Sequence, residues 1–169
     1  VLVEGLEEDW YQISEVRAAG GVIMSDEIKD IETKAGTTST VQFVNFRSPT
    51  VTIQKISAED GRGLDGAVIR IWREGVDEYQ DYTTSGGGYI RLKDQSPGTI
   101  ILRELKAPSG FCLSDEEHRL TLEPGGNHPR IIKNKKLPEL TLRKVNAVDP
   151  SEGIEGITFR FTQVGKFRD

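Results

Sequence analysis

The chain has 169 residues, and its 27 acidic side chains outnumber its 22 basic ones, which gives a net charge of −5 at pH 7. This acidic balance argues against a basic surface for phosphates, so we expect no nucleic-acid partner. We also expect no membrane span, because no apolar stretch approaches the roughly 20 residues that a spanning helix needs. The single cysteine excludes an internal disulfide, and the histidines show no zinc-ligand spacing, so we predict neither a metal nor a cofactor.

The chain opens with a piece that is repeated further along. Residues 11–21 (YQISEVRAAGG) align with residues 100–110 (IILRELKAPSG) without a gap. The same shift of 89 positions carries three polar residues onto residues of the same type: Glu15 onto Glu104, Asn45 onto Asn134, and Lys55 onto Lys144. Such self-similarity at a constant spacing is typical of tandem structural repeats.

The alignment divides the chain into three unequal pieces. Residues 1–48 are predicted to be the C-terminal part of one repeat, residues 49–138 a complete repeat, and residues 139–169 the N-terminal part of a following repeat. The lysine that would match the first piece is expected upstream of Val1. We expect the two incomplete pieces to be less well ordered than the complete one, because their sheets lack partners.

The complete repeat reads as a series of short strands separated by turns rich in Gly and Pro. Alternation of apolar and polar residues predicts strands near 50–57, 66–73, 79–84, 88–93, 99–106, 111–113, 118–123 and 129–134. Gly86–Gly88 is predicted to be a hairpin turn, since no Gly-Lys-Ser/Thr of a phosphate loop follows it. Short strands at this spacing indicate an all-β sandwich or barrel.

Three polar residues fall on the apolar faces of these strands. Lys55 follows Val51 and Ile53 on one face of the first strand, because strand residues two apart point the same way. Glu104 and Asn134 end comparable apolar rows. Burying a charged lysine or carboxylate costs several kcal/mol unless the charge is paired. We therefore expect the three side chains to meet in the core.

Such a cluster has a definite chemistry. Burial favours the neutral forms of lysine and glutamate, and a neutral amine is a nucleophile. Glu104 can then hydrogen-bond the carboxamide oxygen of Asn134 and relay protons while ammonia leaves. The predicted product is an amide between Lys55 and Asn134, and the alternative is a buried Lys–Glu pair that does not react. The half-sites Glu15, Asn45 and Lys144 would belong to the neighbouring repeats.

Several segments resemble one family of bacterial surface repeats. They are VTIQKISAEDGRGLDGAVIRIW (51–72), TTSGGGYIRL (83–92), PGTIILRELKAPSGF (97–111) and RIIKNKK (130–136). The chain resembles the B-type repeats of Gram-positive collagen adhesins and the SpaA-type repeats of pilins, and Glu104–Phe111 is the most specific element. The resemblance implies tandem prealbumin-like or Ig-like β-sandwiches. It also implies that Glu104 assists an isopeptide bond between Lys55 and Asn134.

The same resemblance implies a function and a location. The expected role is a structural stalk or spacer repeat of an adhesin or pilin that is secreted and anchored to the cell wall, with neighbouring repeats of the same chain as partners. The alternative is a module of that surface protein that binds a host matrix protein or a carbohydrate. A third hypothesis, an enzyme, is disfavoured because the sequence shows no second catalytic constellation and the bond formation is self-directed and single-turnover.

Three aromatic residues, Trp72, Tyr79 and Tyr82, lie on predicted strands. They would favour a ligand-binding module if they were exposed, but packing against neighbouring strands is the preferred interpretation. His118 and His128 align with Lys29 and Ser39, so both are predicted at the surface.

Overall fold

The protein is described here by a computed structural model of residues 1–162 and 164–165, and its regular elements are all strands. They are β1 (Trp10–Ser14), β2 (Ile28–Glu32), β3 (Thr50–Ser57), β4 (Val68–Arg73), β5 (Tyr79–Thr83), β6 (Tyr89–Leu92), β7 (Gly98–Lys106), β8 (Glu117–Leu122) and β9 (Asn127–Asn134). Within the described residues, no helix is long and apolar enough to cross a membrane. The chain divides into two compact units, Val1–Leu137 and Pro138–Asp169.

Strands β3 to β9 form a sandwich of two sheets. One sheet has the order β6-β3-β9, and the other has the order β5-β4-β7-β8. Their inner faces share one apolar core, made of Val51, Ile53, Ile69, Ile71, Ile90, Leu92, Ile100, Leu102, Leu122 and Ile132. Each fully buried side chain of this kind contributes about 1.5–3 kcal/mol, so burial of these alternating apolar faces favours the packing of the two sheets. The prediction of an all-β sandwich is confirmed.

The central position of β3 brings the two ends of the complete repeat together. β3 pairs antiparallel with β6 on one side and parallel with β9 on the other. Its residues alternate strictly between buried and half-buried positions from Thr50 to Ser57. In the parallel pair, Lys55 lies opposite Ile132 and Ser57 lies opposite Asn134. The inner faces of β3 and β9 therefore carry Lys55 and Asn134 side by side.

All but one of the predicted strands of the complete repeat are present, with ends that agree within two residues. The prediction of a strand at 111–113 was wrong, because Phe111 makes only an isolated bridge to Lys136. That segment belongs to a loop that crosses the end of the sandwich. The predicted hairpin at Gly86–Gly88 is confirmed by the bridge between Ser85 and Tyr89.

The flanking pieces have few regular elements. β1 and β2 form a two-stranded antiparallel sheet, and among the described residues the segment 38–45 has no strand. In the second unit, an antiparallel bridge joins Val145 to Gly153. The division into repeats at residues 48 and 138 stays a prediction.

Candidate functional site

Lys55, Glu104 and Asn134 meet in the interior, as their positions on apolar faces predicted. Their exposed fractions are 0%, 4% and 2%, respectively. Lys55 Nζ donates to Asn134 Oδ1 at 2.5 Å and lies 3.1 Å from Glu104 Oε1. Asn134 Nδ2 donates to Glu104 Oε1 and Oε2 at 2.8 and 3.0 Å. Each side chain therefore contacts both of the others.

Both sheets are needed to build this site. Lys55 and Asn134 come from the parallel neighbours β3 and β9, whereas Glu104 comes from β7 in the opposite sheet. A β-bulge follows Glu104, since Glu104 pairs with Ile69 and Lys106 pairs with the adjacent Val68. Bulges of this kind often re-aim a side chain beside a functional site. The backbone N–H of Ser114, in the crossing loop, donates to Glu104 Oε2 at 2.9 Å and holds the carboxylate in place.

Burial makes the lysine a better nucleophile. Desolvation lowers the pKa of Lys55, and the attraction of Glu104 opposes this effect without cancelling it. A lower pKa increases the fraction of Lys55 that is a neutral amine, and the neutral amine is the form that can attack a carbonyl carbon. Asn134 Oδ1, at 2.5 Å from Nζ, is bonded to the carbon that would be attacked. The amine is thus held beside its electrophile.

The orientation of the Asn134 amide differs from the expected one. The sequence-based mechanism placed Glu104 against the carboxamide oxygen, but Glu104 accepts two hydrogen bonds from the carboxamide nitrogen instead. This arrangement suits an ammonium on Lys55 and a carboxylate on Glu104, because the lysine then only donates and the glutamate only accepts. Glu104 is consequently placed beside the leaving nitrogen, where it can deliver a proton.

Two of the three half-site residues contact each other, and the third is exposed in the second unit. Glu15 and Asn45 meet, and Asn45 Nδ2 donates to both carboxylate oxygens at 2.8 Å. Lys144 is exposed in the second unit, where its backbone carbonyl accepts a hydrogen bond from Ile154. The first piece therefore reproduces the Glu–Asn part of the site.

The prediction that His118 lies at the surface was wrong, because the residue is buried, at 7% exposed, with its side chain on the inner face of β8. Its Nδ1 lies 3.2 Å from Arg130 Nη2 and 3.4 Å from Glu116 Oε1. Burial lowers the pKa of His118, and Glu116 opposes that shift. The surface prediction came from the alignment of His118 with Lys29, because lysine is usually exposed. The alternation of β8 was the signal for burial, since it puts His118 on the same face as Leu120 and Leu122.

The aromatic residues have mixed surroundings. Trp72 and Tyr82 are half-buried, in agreement with strand packing, whereas Tyr79 is 58% exposed. The guanidinium of Arg70 stacks 3.6 Å from the centre of the Tyr79 ring, and it also pairs with Asp81 through two hydrogen bonds of 2.8 and 2.9 Å. Arg70 and Tyr79 line a shallow depression on the outer face of the larger sheet.

Comparison with known proteins supports one family. A comparison with curated proteins found no match. Among solved structures, the Bacillus anthracis TIE protein is similar at 25% identity and a TM-score of 0.55, over 78% of this chain and 26% of that one. The backbone protein of pilus 2b from group B streptococcus shares the fold at 22% identity and a TM-score of 0.54, over 70% of this chain and 53% of that one.

The chain thus spans about a quarter and about half of the length of those two proteins. A family model described as the SpaA prealbumin-like fold domain matches residues 49–136, which is more than half of the chain and contains Lys55, Glu104 and Asn134. The chain therefore belongs to the SpaA family of prealbumin-like fold domains.

Proposed function

We propose that residues 49–138 form a structural spacer repeat of a Gram-positive surface pilin or adhesin, and that this repeat closes an isopeptide bond between Lys55 and Asn134. The buried contacts among Lys55, Glu104 and Asn134 carry the proposal. Family membership and the fold shared with a pilus backbone protein support the structural role. The location that follows is the cell wall, with neighbouring repeats of the same protein as partners.

The reaction balances with the groups at hand. Lys55 transfers a proton to Glu104, and the neutral amine attacks Cγ of Asn134. A bond forms between Lys55 Nζ and Cγ, and the bond from Cγ to Nδ2 breaks. Glu104 donates its proton to the departing Nδ2 and accepts the surplus proton of Lys55 Nζ. The products are one amide, one ammonia and a protonated Glu104. Because the nucleophile is consumed, the chemistry is single-turnover, and the repeat is not an enzyme in the ordinary sense.

A stalk repeat would gain mechanical strength from this bond. Tension along the chain enters β3 at Thr50 and leaves β9 at Asn134. A bond from Lys55 to Asn134 would carry the load past the residues between them. It would also close a loop of 79 residues, which stabilises a fold by about 4–5 kcal/mol if the loop entropy of disulfides applies.

Intact-mass measurement of the 169-residue chain tests the proposal. The expected mass is that of the sequence less one ammonia. Lys55→Ala and Glu104→Ala should each show the full mass of their own sequence. Lys133→Ala is the matched control, since Lys133 is next to Asn134 but points outward on β9. An unmodified wild-type mass would refute the bond and leave the fold unaffected.

A second candidate is a module that binds a host matrix protein or glycan, and the exposed Tyr79 favours it. The depression on the outer face of the larger sheet is lined by Trp72, Arg70 and Arg103 as well as by Tyr79. Aromatic and guanidinium groups suit sugar rings and peptide surfaces. Binding to immobilised matrix proteins and glycans, lost in Tyr79→Ala, is the test. Equal binding by the variant would rule out this surface.

A further inference from the structure

The crossing loop contains a short motif that occurs twice in the chain. Residues 25–27 and residues 114–116 both have the sequence Ser-Asp-Glu, and they are separated by the same shift as Glu15 and Glu104. In each copy the serine hydroxyl accepts a hydrogen bond from the backbone N–H two residues further on, at 3.2 Å in the first and 3.3 Å in the second. A hydroxyl that bonds the nearby backbone in this way fixes a turn.

The turn directs the backbone N–H of each serine at a carboxylate. The N–H of Ser25 donates to Glu15 Oε2 at 2.8 Å, and that of Ser114 donates to Glu104 Oε2 at 2.9 Å. A backbone donor has no rotamer freedom to lose, so it holds its acceptor at a low entropic cost. Because the same motif makes the same bond in both copies, the contact follows from the local sequence of the loop.

This bond gives the two oxygens of Glu104 different surroundings. Oε2 accepts from the Ser114 N–H and, at 3.0 Å, from Asn134 Nδ2. Oε1 lies 3.1 Å from Lys55 Nζ and accepts from Asn134 Nδ2 at 2.8 Å. Oε1 is therefore within hydrogen-bond distance of the nitrogen that must lose a proton and of the nitrogen that must gain one.

The Ser114 N–H is an anchor that the reaction does not consume. The terminal torsion of a glutamate side chain is broad, so a carboxylate turns easily unless it is held. Within the described part of the chain, the other polar contacts of the Glu104 carboxylate come from Lys55 and Asn134, which both change during bond formation. Only the contact with Ser114 stays the same from the first proton transfer to the last.

The loop is also tied to the chain that follows Asn134. The backbone N–H of Cys112 donates to the carbonyl of Lys135 at 2.8 Å, and that of Leu137 donates to the carbonyl of Gly110 at 2.9 Å. These bonds hold the loop against the end of β9. The anchor for Glu104 is thus positioned relative to the asparagine that reacts.

We propose that Ser114 is a positioning residue for bond formation: its N–H anchors Glu104 Oε2, so that Oε1 carries the protons between Lys55 Nζ and Asn134 Nδ2. The inference rests on the proposed function, because it assigns the proton transfers of that reaction to one oxygen. Oε1 accepts a proton from Nζ, and the neutral amine attacks Cγ. Oε1 then donates that proton to Nδ2 as the bond from Cγ to Nδ2 breaks, and it accepts the second proton of Nζ.

Replacing the amide before Ser114 by an ester removes this N–H and keeps the side chain. Cys112 is the only cysteine, so the full chain can be joined at that residue from a recombinant segment 1–111 and a synthetic segment 112–169 that carries the ester. The matched control is an ester before Leu113, which is exposed and whose N–H has no acceptor among the described residues. Circular dichroism checks that both chains fold.

Time-resolved intact mass after refolding measures the loss of ammonia. The ester before Ser114 should slow this loss roughly tenfold or more, because a hydrogen bond to a charged group is removed. The ester before Leu113 should react at the rate of the all-amide chain. Equal rates for the two esters would refute the role of Ser114 and leave the proposed function standing, whereas an all-amide chain that never loses ammonia refutes both.

Hydrogen exchange, followed by NMR, reports on the anchor without the reaction. The Ser114 amide should be protected in the wild type and should lose that protection in Glu104→Ala, because its acceptor is gone. The Cys112 amide is the control and should stay protected in both chains, since its acceptor is the Lys135 carbonyl. Equal protection of the Ser114 amide in the two chains would overturn the inference.

Discussion

Lys55 and Asn134 lie 79 residues apart in the sequence, and their side chains meet because β3 and β9 pair in parallel. Glu104 reaches them from the other sheet. The cluster is complete only when both sheets have packed, so the proposed bond can form only in the folded repeat. A bond made after folding acts by preventing unfolding and not by guiding the chain to its fold.

Replacing the asparagine by aspartate should change the leaving group. In Asn134→Asp the same amide can form, but the departing group is water, so the mass should fall by one water and not by one ammonia. Because the two cross-linked products have the same composition, intact-mass spectrometry should give Asn134→Asp the same mass as the cross-linked wild type, one water below the mass of its own sequence. Asn134→Ala has no electrophilic carbonyl at this position and should keep its full mass, and any loss from that variant would assign the chemistry to other residues.

Removing the lysine should lower stability by more than its packing alone explains. Lys55→Met keeps an unbranched side chain in the core but cannot form the bond, so the free energy of unfolding should fall by on the order of 4 kcal/mol. Ile53→Val on the same buried face is the control, with an expected loss of about 1 kcal/mol. Denaturant titration measures both. Equal losses in the two variants would mean that no cross-link stabilises the wild-type repeat.

The glycine hairpin should tolerate alanine at one position and not at another. Gly86 and Gly88 both have positive φ, of 60° and 85°. A Cβ at Gly86 meets open space, whereas one at Gly88 would overlap the carbonyl oxygen of Lys55. Gly86→Ala should therefore cost about 1 kcal/mol, from backbone strain alone.

Gly88→Ala should cost clearly more and should also slow ammonia loss after refolding, because the Gly88 carbonyl accepts from the Lys55 N–H and positions β3. Denaturant midpoints and time-resolved intact mass report the two effects. Equal behaviour of the two variants would contradict the close approach of the hairpin to Lys55.

His118 should make stability depend on pH. Burial lowers the pKa of His118 below its usual value of 6.5, against the opposing attraction of Glu116. As the pH falls below that value, the unfolded chain takes up a proton that the folded protein resists, so the free energy of unfolding decreases. Above pH 6.5, His118 is neutral in both the folded and the unfolded state, so its protonation no longer lowers the free energy of unfolding.

Urea unfolding at about pH 7.5 and about pH 5 measures this effect. His118→Gln should show a smaller decrease between the two conditions than the wild type. An unchanged decrease in His118→Gln would assign the acid sensitivity to groups other than His118.

Strand alternation is a local property, so it was sufficient to predict most strands and the apolar faces that carry Lys55, Glu104 and Asn134. The repeat spacing likewise singled out Glu15 and Asn45, because it matches residue types at a constant shift. Neither pattern could show which nitrogen or oxygen of Asn134 faces Glu104, because that depends on the charges around it. The backbone donor from Ser114 was equally hidden, since it comes from a loop without a sequence signal.

The amino-acid pattern was enough to establish the all-β class and the identity of the buried polar residues, because side-chain direction in a strand depends only on position along it. The packing of the folded chain was needed to show that Phe111 lies in a loop. It also leaves Asn45 with an oxygen that has no partner among the described residues. Each of these depends on which strands become neighbours, and neighbours are chosen by the packing of two sheets over long sequence separations.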